Sequence, residues 1–487
     1  MLFARLYPHV TLEARANGEI VACFDRYCVG LGQFSPGIAD RAQNLRTGLP
    51  LAPEFAAGSI EMELHPLLHT LAESGFLEYR LARSQGGEDQ VVIEPQVPDY
   101  WPRVPALDDT DVVVLSRFAY LRRRGNDMVL ESPRAPALFR ICNPEIAAAL
   151  ATLSSPQQFK QVCEQTGLPG GELFGLFLEC DILFKIKDDH DSGFRRSEGD
   201  KNLVLWDFHD LLFHARSTQG RHANPLGGVY PDVGVRSPPP AVRPRWPGKQ
   251  IDLRKGRAAH AQRLSPAAKL VRRRHSARSF DDRRPIALAE LARFLDSTAR
   301  VLSRFRSRLD LGDVRPVVSY AVRPYPSGGG NWELELYLAV ANCEGLAPGF
   351  YHYDAGRHAL TNIPVRAHGL DALLMGAAFA MDAPDSPQIL ITIAARFGRV
   401  SWKYSSIAYA LILKDAGVLM QTFYLMATDM GLGGCAIGTV NIEQFARMTG
   451  MEFHVEGPVG QFALGRPAKS GRSGARPPAN RRGGRKQ

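Results

Sequence analysis

The longest apolar stretch in the chain, residues 407–425, has Lys414 and Asp415 in its middle. Two charged groups at that depth would be costly in a bilayer, so the stretch predicts a buried core helix running to Met430 and no membrane span. A long apolar helix needs other elements to cover it. Residues 286–295 read as an amphipathic helix, 334–340 and 388–394 as strands, and 350–354 followed by 358–360 as a hairpin. Together they predict one α/β unit over residues 265–466.

The 487 residues suffice for roughly three domains of about 150 residues each. Hydrophobic content of 45% and charged content of 22% are ordinary for a soluble globular protein. The formal net charge of +9 belongs mostly to residues 467–487, which carry seven basic residues and no acid. This Gly/Pro/Arg tail predicts disorder and says little about the folded body. Met1-Leu2-Phe3-Ala4-Arg5 has no basic region followed by a long apolar run, so no signal peptide is read. The seven cysteines are scattered and contain no Cys-x-x-Cys pair, which argues against zinc. An odd, scattered set fits a reducing cytoplasm, with most thiols as small apolar core groups.

Before the α/β unit, two similar patterns recur. Residues 64–71 read as a helix, followed by a glycine stop and a strand through Phe76 to Tyr79. Further on, residues 118–124 and 128–131 flank Gly125-Asn126 as a hairpin. Helices at 146–153, 156–166 and 168–177 and a strand at 182–186 come next. This order predicts tandem winged-helix-like modules, residues 1–105 and 106–190, with an extended connector over 200–264. The candidate recognition helix contains Glu172 and no Lys or Arg, which argues against nucleic acid. Capture of a peptide along a strand edge is the alternative use. In the connector, residues 206–216 read as an aromatic-rich helix. His209 and His214 lie five residues apart, a poor spacing for one metal-binding helix face, so packing is the better reading and no metal is assigned.

Four segments carry the chemistry. In Arg274-His275-Ser276-Ala277-Arg278-Ser279-Phe280-Asp281, alternation turns Arg274, Ser276 and Arg278 to one side if the backbone is extended. Two fixed positive charges and a hydroxyl suit a phosphate and its neighbouring polyol. Pro326-Ser327-Gly328-Gly329-Gly330 would let a backbone approach a flat ligand. In Trp402-Lys403-Tyr404-Ser405, a cation beside a phenol favours the phenolate and makes Tyr404 a candidate proton acceptor. Gly431-Leu432-Gly433-Gly434 closes the long helix and frees backbone N–H groups. It does not follow a strand as a dinucleotide fingerprint would.

Taken together, these segments resemble the SagB/ThcOx-type branch of the nitroreductase superfamily. The likeness extends to Gly349-Phe350-Tyr351-His352-Tyr353-Asp354, the Glu335-Leu336-Tyr337 strand, Leu413-Lys414-Asp415-Ala416-Gly417, the 206–216 connector and the N-terminal modules. The resemblance implies an α+β chain with a C-terminal nitroreductase-like FMN fold. It implies an FMN-dependent dehydrogenase that oxidises thiazoline or oxazoline rings in a ribosomally made peptide. Arg274, Ser276 and Arg278 would grip the FMN phosphate, ribityl chain and pyrimidine edge. Ser327 and Gly328 would line the isoalloxazine, and Gly433 and Gly434 would offer N–H groups near N5 and O4. Lys403 and Tyr404 would be catalytic.

As partners, the resemblance implies a precursor peptide with leader and core, a cyclodehydratase, and a second copy of the chain in a homodimer. Two departures stand out: Gly330-Asn331-Trp332-Glu333 where Ala-Leu-Tyr-Pro is expected, and Tyr409-Ala410 where Tyr-Arg is usual. The alternatives are a NAD(P)H-dependent nitro- or quinone-type reductase and a non-catalytic peptide-binding protein. The intact Arg274, Ser276, Arg278 and Lys403-Tyr404 set argues against the last.

Overall fold

The apolar run forms the helix Ala408–Asp429 in the computed structural model of the chain. Gly431, at φ 70°, ends it, because a left-handed residue at this point costs glycine nothing. The structure describes residues 1–24, 27–51, 60–166, 170–186, 196–224, 227–253 apart from 232, 236, 244 and 246, and 264–468. Most of the basic tail, part of the connector and the start of the 168–177 helix lie outside these residues.

The chain divides into two compact units, and the division does not follow the sequence order. The first holds residues 1–226, 396–410 and 441–457. The second holds 227–395, 411–440 and 458–487.

In the first unit, an antiparallel sheet runs in the order Leu49–Pro50, Leu2–Leu6, Leu77–Ala82, Asp89–Pro95, Ala137–Ile141, Asp127–Glu131, Tyr120–Arg124. Asp89–Pro95 and Ala137–Ile141 pair from Val91↔Ile141 to Pro95↔Ala137. Strands from both sides of residue 105 thus share one sheet. One apolar core, from Leu2 to Leu183, lies beneath both expected modules. Residue 105 is therefore a boundary of pattern, with no break in the packing. The helices expected after the hairpin occur at Pro144–Thr152, Phe159–Thr166 and Gly170–Glu179, and Leu183–Ile186 follows as a strand. Asn143 caps the first of them by accepting the Glu145 N–H at 3.0 Å.

The expectation of seven separate thiols is corrected at one pair. Cys23 and Cys28 face each other across the strands Glu19–Phe24 and Tyr27–Gln33 and form a disulfide. Facing positions bring the two Cβ atoms close, a proximity that spacing in the sequence does not reveal. Among the other five, Cys180, Cys343 and Cys435 are buried.

The second unit is built on a sheet in the order Ala359–Ile363, Gly349–Asp354, Leu334–Val340, Ile389–Arg396, Glu456–Gly465, Gly433–Ile437. Val, Ile, Leu and Ala predominate in its two central strands, and Ile389–Ala395 is buried throughout. Phe423 of the long helix packs against Phe294 and Phe462 at ring separations of 5.2 and 5.3 Å. The segment after Gly431, read as a helix-closing loop, is an edge strand. Its glycines masked it, since glycine weakens strand patterns, and packing demands them. A Cβ on Gly434 would stand 2.3 Å from the Phe462 ring, and one on Gly433 2.7 Å from the Ala277 Cβ.

Gly434→Ala is expected to cost about 1–3 kcal/mol through overpacking, read as a lower thermal midpoint. Gly376→Ala, in the helix Ala367–Met381 with open space at its Cβ, should instead gain up to about 1 kcal/mol.

Candidate active site

Three constellations carry the expected site residues. The segment 274–278 follows the helix Pro266–Arg273, whose N-terminus is capped by Ser265 accepting the Ala268 N–H at 3.1 Å. The Ala277 N–H donates to the Gly434 carbonyl at 2.8 Å, stitching the segment to the edge strand. Buried Ala277 faces inward, Arg274 and Ser276 are half-buried, and Arg278 is exposed. Tyr424 of the long helix gathers the first two. Arg274 lies over its ring at 4.9 Å, and Ser276 Oγ is 2.8 Å from its hydroxyl. That hydroxyl also accepts the Ala436 N–H at 2.8 Å. Burial pushes the Cys435 thiol up, while the nearby Arg278 charge and bonds to Ser276 and Tyr424 pull it back. Among the described residues, neither Arg274 nor Arg278 has a carboxylate within ion-pair distance. Two unneutralised guanidinium groups flanking a hydroxyl fit an anionic phosphate and its polyol.

The second constellation is the turn at 325–333. Asp415, buried in the long helix, accepts the Gly328 N–H at 2.8 and 3.0 Å and the Ser327 hydroxyl at 2.8 Å. Ser327 Oγ in turn accepts the Trp332 N–H at 2.9 Å, and the Trp332 indole N–H donates to the Tyr325 carbonyl at 2.9 Å. Gly329, Gly330 and Trp332 all have positive φ, at 63°, 68° and 43°. For tryptophan this conformation is strained, and its hydrogen bonds hold it there. Ser327 and Gly328 are thus fixed by Asp415, which sequence reading had noted as a charge in the apolar run and within a motif, without this partnership. Glu333, noted in the sequence only as a departure from the family pattern, is fully buried, and its Oε2 lies 3.3 Å from Ser327 Oγ. Its signal in the sequence was an acid placed immediately before a buried strand.

The third constellation belongs to the first unit. Lys403 and Tyr404 follow the helix Phe397–Ser401, and both backbone N–H groups donate to the Val400 carbonyl, at 3.0 and 2.9 Å. The Lys403 ammonium lies 5.3 Å from the Tyr404 ring centroid. The two side chains are therefore neighbours, as the sequence reading required. The connector helix Phe208–Ser217 anchors this turn. Asp207 accepts the Ser406 N–H, Asp210 accepts the Tyr409 N–H at 3.3 Å, and His209 lies 3.0 Å from the Ser406 carbonyl. His214 is buried among Trp206, Phe397, Tyr409 and Phe453. Its ring nitrogens meet the Tyr409 hydroxyl at 3.1 Å and the Phe453 carbonyl at 3.2 Å. Burial pushes its imidazole down to about 4, so it is neutral and structural. Asp207, His209 and Asp210 bring their ligand atoms close together, and each already serves the turn.

Residues 271–466 match the nitroreductase family, and residues 113–223 match the family described as cyanobactin oxidase ThcOx. The two matched regions together are consistent with the SagB/ThcOx type of the nitroreductase superfamily. A protein of Methanocaldococcus jannaschii named as a nitroreductase is 33% identical over 113 residues. That match covers 23% of this chain and 56% of the relative, so the chain spans little more than half of that protein's length. Among solved structures, the Escherichia coli microcin synthetase McbBCD complex with truncated pro-MccB17 bound is 18% identical. There the match covers 58% of this chain and 100% of that one, at a TM-score of 0.38. A Desulfovibrio desulfuricans nitroreductase in complex with FMN is 16% identical, covering 44% and 94% of the two chains at a TM-score of 0.28.

Asp207→Ala is expected to free the turn bearing Lys403. Loss of a charge-assisted bond worth about 1.5 kcal/mol should speed hydrogen exchange across residues 403–409 roughly tenfold, read by mass spectrometry.

Proposed function

We propose that this chain is an FMN-dependent dehydrogenase that oxidises thiazoline or oxazoline rings of a ribosomally made peptide to thiazole or oxazole. The observation that carries this reading is the joining, in one chain, of a cyanobactin-oxidase match over 113–223 and a nitroreductase match over 271–466. When bound, the flavin supplies a two-electron, hydride-accepting centre.

The chain's own residues do the rest. Arg274 and Arg278 neutralise the phosphate, and Ser276 adds a hydroxyl between them. Ser327 and Gly328, fixed by Asp415, present a stiff turn to the isoalloxazine. Gly433 and Gly434 bring the edge strand's backbone close to the 274–278 segment, with Ala277 and Phe462 packed where their side chains would stand. Tyr404 takes the proton from the azoline Cα, with the Lys403 ammonium beside it. The connector helix holds that pair in place through Asp207 and Asp210.

The first unit offers features suited to a peptide. Tyr27–Gln33 is an outer strand with six exposed residues and no charge, and Tyr120–Arg124 is the outer strand of the large sheet. Strand addition at such an edge would hold a leader and raise the local concentration of the core peptide. A polar cleft of about 620 Å³ nearby is lined by residues including Glu94, Arg122, Arg124, Glu131, Arg216 and His222. A cyclodehydratase would supply the azoline, and the cytoplasm is the proposed setting, where the Cys23–Cys28 pair would be held reduced. Homodimer formation is supported in the second unit by apolar side chains left in solvent: Phe379 is 90% and Met375 67% exposed.

The reductase alternative is favoured by the name of the archaeal relative. Rapid bleaching of the bound flavin by NADPH alone would support it over the dehydrogenase.

Purified protein should be yellow and release FMN on denaturation. Arg274→Ala with Arg278→Ala should lower FMN affinity by about 100-fold or more, since each charge-assisted contact is worth about 1.5–3 kcal/mol. Lys403→Ala should keep FMN yet stop the loss of two hydrogens from a cognate azoline peptide, read by mass spectrometry. Turnover retained by Lys403→Ala would remove this residue from the mechanism.

A further inference from the structure

Glu333 and Asp415 are two buried carboxyl groups, 0% and 6% exposed, converging on one serine hydroxyl. That hydroxyl has a single proton to give, and Asp415 at 2.8 Å is the nearer acceptor. Asp415 already accepts the Gly328 N–H, as a carboxylate does. Glu333 then faces a carboxylate and a committed hydroxyl, and burying a second charge there would be costly. A proton on Glu333 resolves the conflict by donating toward Asp415. Burial first, and the Asp415 charge after it, push the Glu333 carboxyl up to about 7.

The other titratable groups around the pair leave this assignment intact. Tyr325 is buried and its phenol is pushed up by burial, so it remains neutral. Arg323 is committed to the Leu334 carbonyl at 2.7 Å and to Glu335 at 3.5 Å, and Glu335 also lies 3.5 Å from His352. Lys414, next to Asp415 in the helix, is exposed. Glu333 stands where the resemblance expects proline, so its carboxyl is a feature of this chain.

We propose that Glu333 is a positioning residue that shares one proton with Asp415, and that this proton fixes the Ser327–Gly328 turn against the flavin, making cofactor retention depend on pH. The proposal rests on the flavin reading above. Its sign follows from the raised carboxyl. The unfolded or loosened turn ionises near the ordinary glutamate range, so stability is full below that range. It falls as pH rises and is lost once pH passes through the folded value near 7. Above that value two adjacent carboxylates repel beneath the turn.

Trp332 provides a readout that needs no cofactor, because both its backbone and indole N–H groups bond within the turn. The test follows tryptophan fluorescence of the flavin-free protein from pH 5 to 9, with Trp332→Phe as the subtraction. It also measures FMN affinity at pH 6 and 8.5 by ultrafiltration. The wild-type Trp332 signal should titrate near neutrality, and its FMN affinity should fall about tenfold or more across that interval, the equivalent of one lost hydrogen bond. Glu333→Gln, which keeps a neutral donor, should abolish the titration and hold affinity within about twofold. Glu333→Ala should bind FMN weakly at both pH values. Asp415→Asn, removing the like charge, should move the midpoint to lower pH and offers a second route if Glu333→Gln fails to fold.

A pH-independent Trp332 signal in the wild type, or an unchanged titration in Glu333→Gln, would overturn the shared proton. A chain that binds no FMN at any pH overturns the cofactor reading and the retention claim with it. The fluorescence titration still decides the proton in that case.

Discussion

A single buried imidazole ties together the three stretches of chain that make up the first unit. His214 meets the Tyr409 hydroxyl and the Phe453 carbonyl, partners 195 and 239 residues away. A charged ring could not rest in that apolar cluster, so burial selects the neutral form, with one nitrogen donating and the other accepting. Trp206 stacks on the imidazole and donates its indole N–H to the His454 carbonyl at 2.8 Å. These contacts determine where residues 396–410 join the unit, and hence where Lys403 and Tyr404 stand. The aromatic connector is therefore a structural anchor for chemistry that lies outside it.

Much of the second unit was legible because its elements carry strong, unmixed signals. Leu334–Val340 has the bounds that its apolar run implies, and the long helix lies within one residue of the 407–430 reading at each end. The hairpin read at 350–354 and 358–360 occurs as Gly349–Asp354 with Ala359–Ile363. Gly433–Ile437 was hidden because packing against Ala277 and Phe462 forces glycine into a strand, overriding the usual preference. The hairpin Ser303–Arg308 with Val317–Val322 was also missed, since arginines and serines interrupt its alternation. At the site, the charged and glycine-rich motifs were readable, but the groups that fix them were not. Tyr424, Asp207 and Glu333 gain their roles from neighbours brought in by folding.

The three sets of candidate residues obey different physics. The 274–278 segment offers fixed charge with no carboxylate to neutralise it among the described residues, an arrangement that favours an anionic ligand. The 325–333 turn offers rigidity: a strained tryptophan, two left-handed glycines and a buried acid pair hold a short stretch of backbone in one shape. Sites of this kind store local cost where a ligand is to be received. The Lys403–Tyr404 turn is mostly open to solvent and depends on the connector's carboxylates for its shape.

The first unit also borrows residues 441–457 from late in the chain. Within them, Asn441 pairs with Gln219, and Glu443 holds Arg221 at 2.9 Å. During synthesis the ribosome delivers residues 1–226 long before it delivers these closing pieces. The nascent N-terminal half must therefore wait, with its connector's apolar face uncovered, until nearly the whole polypeptide has emerged. A fragment ending before residue 396 lacks both the lysine–tyrosine pair and the segments that complete the unit carrying it.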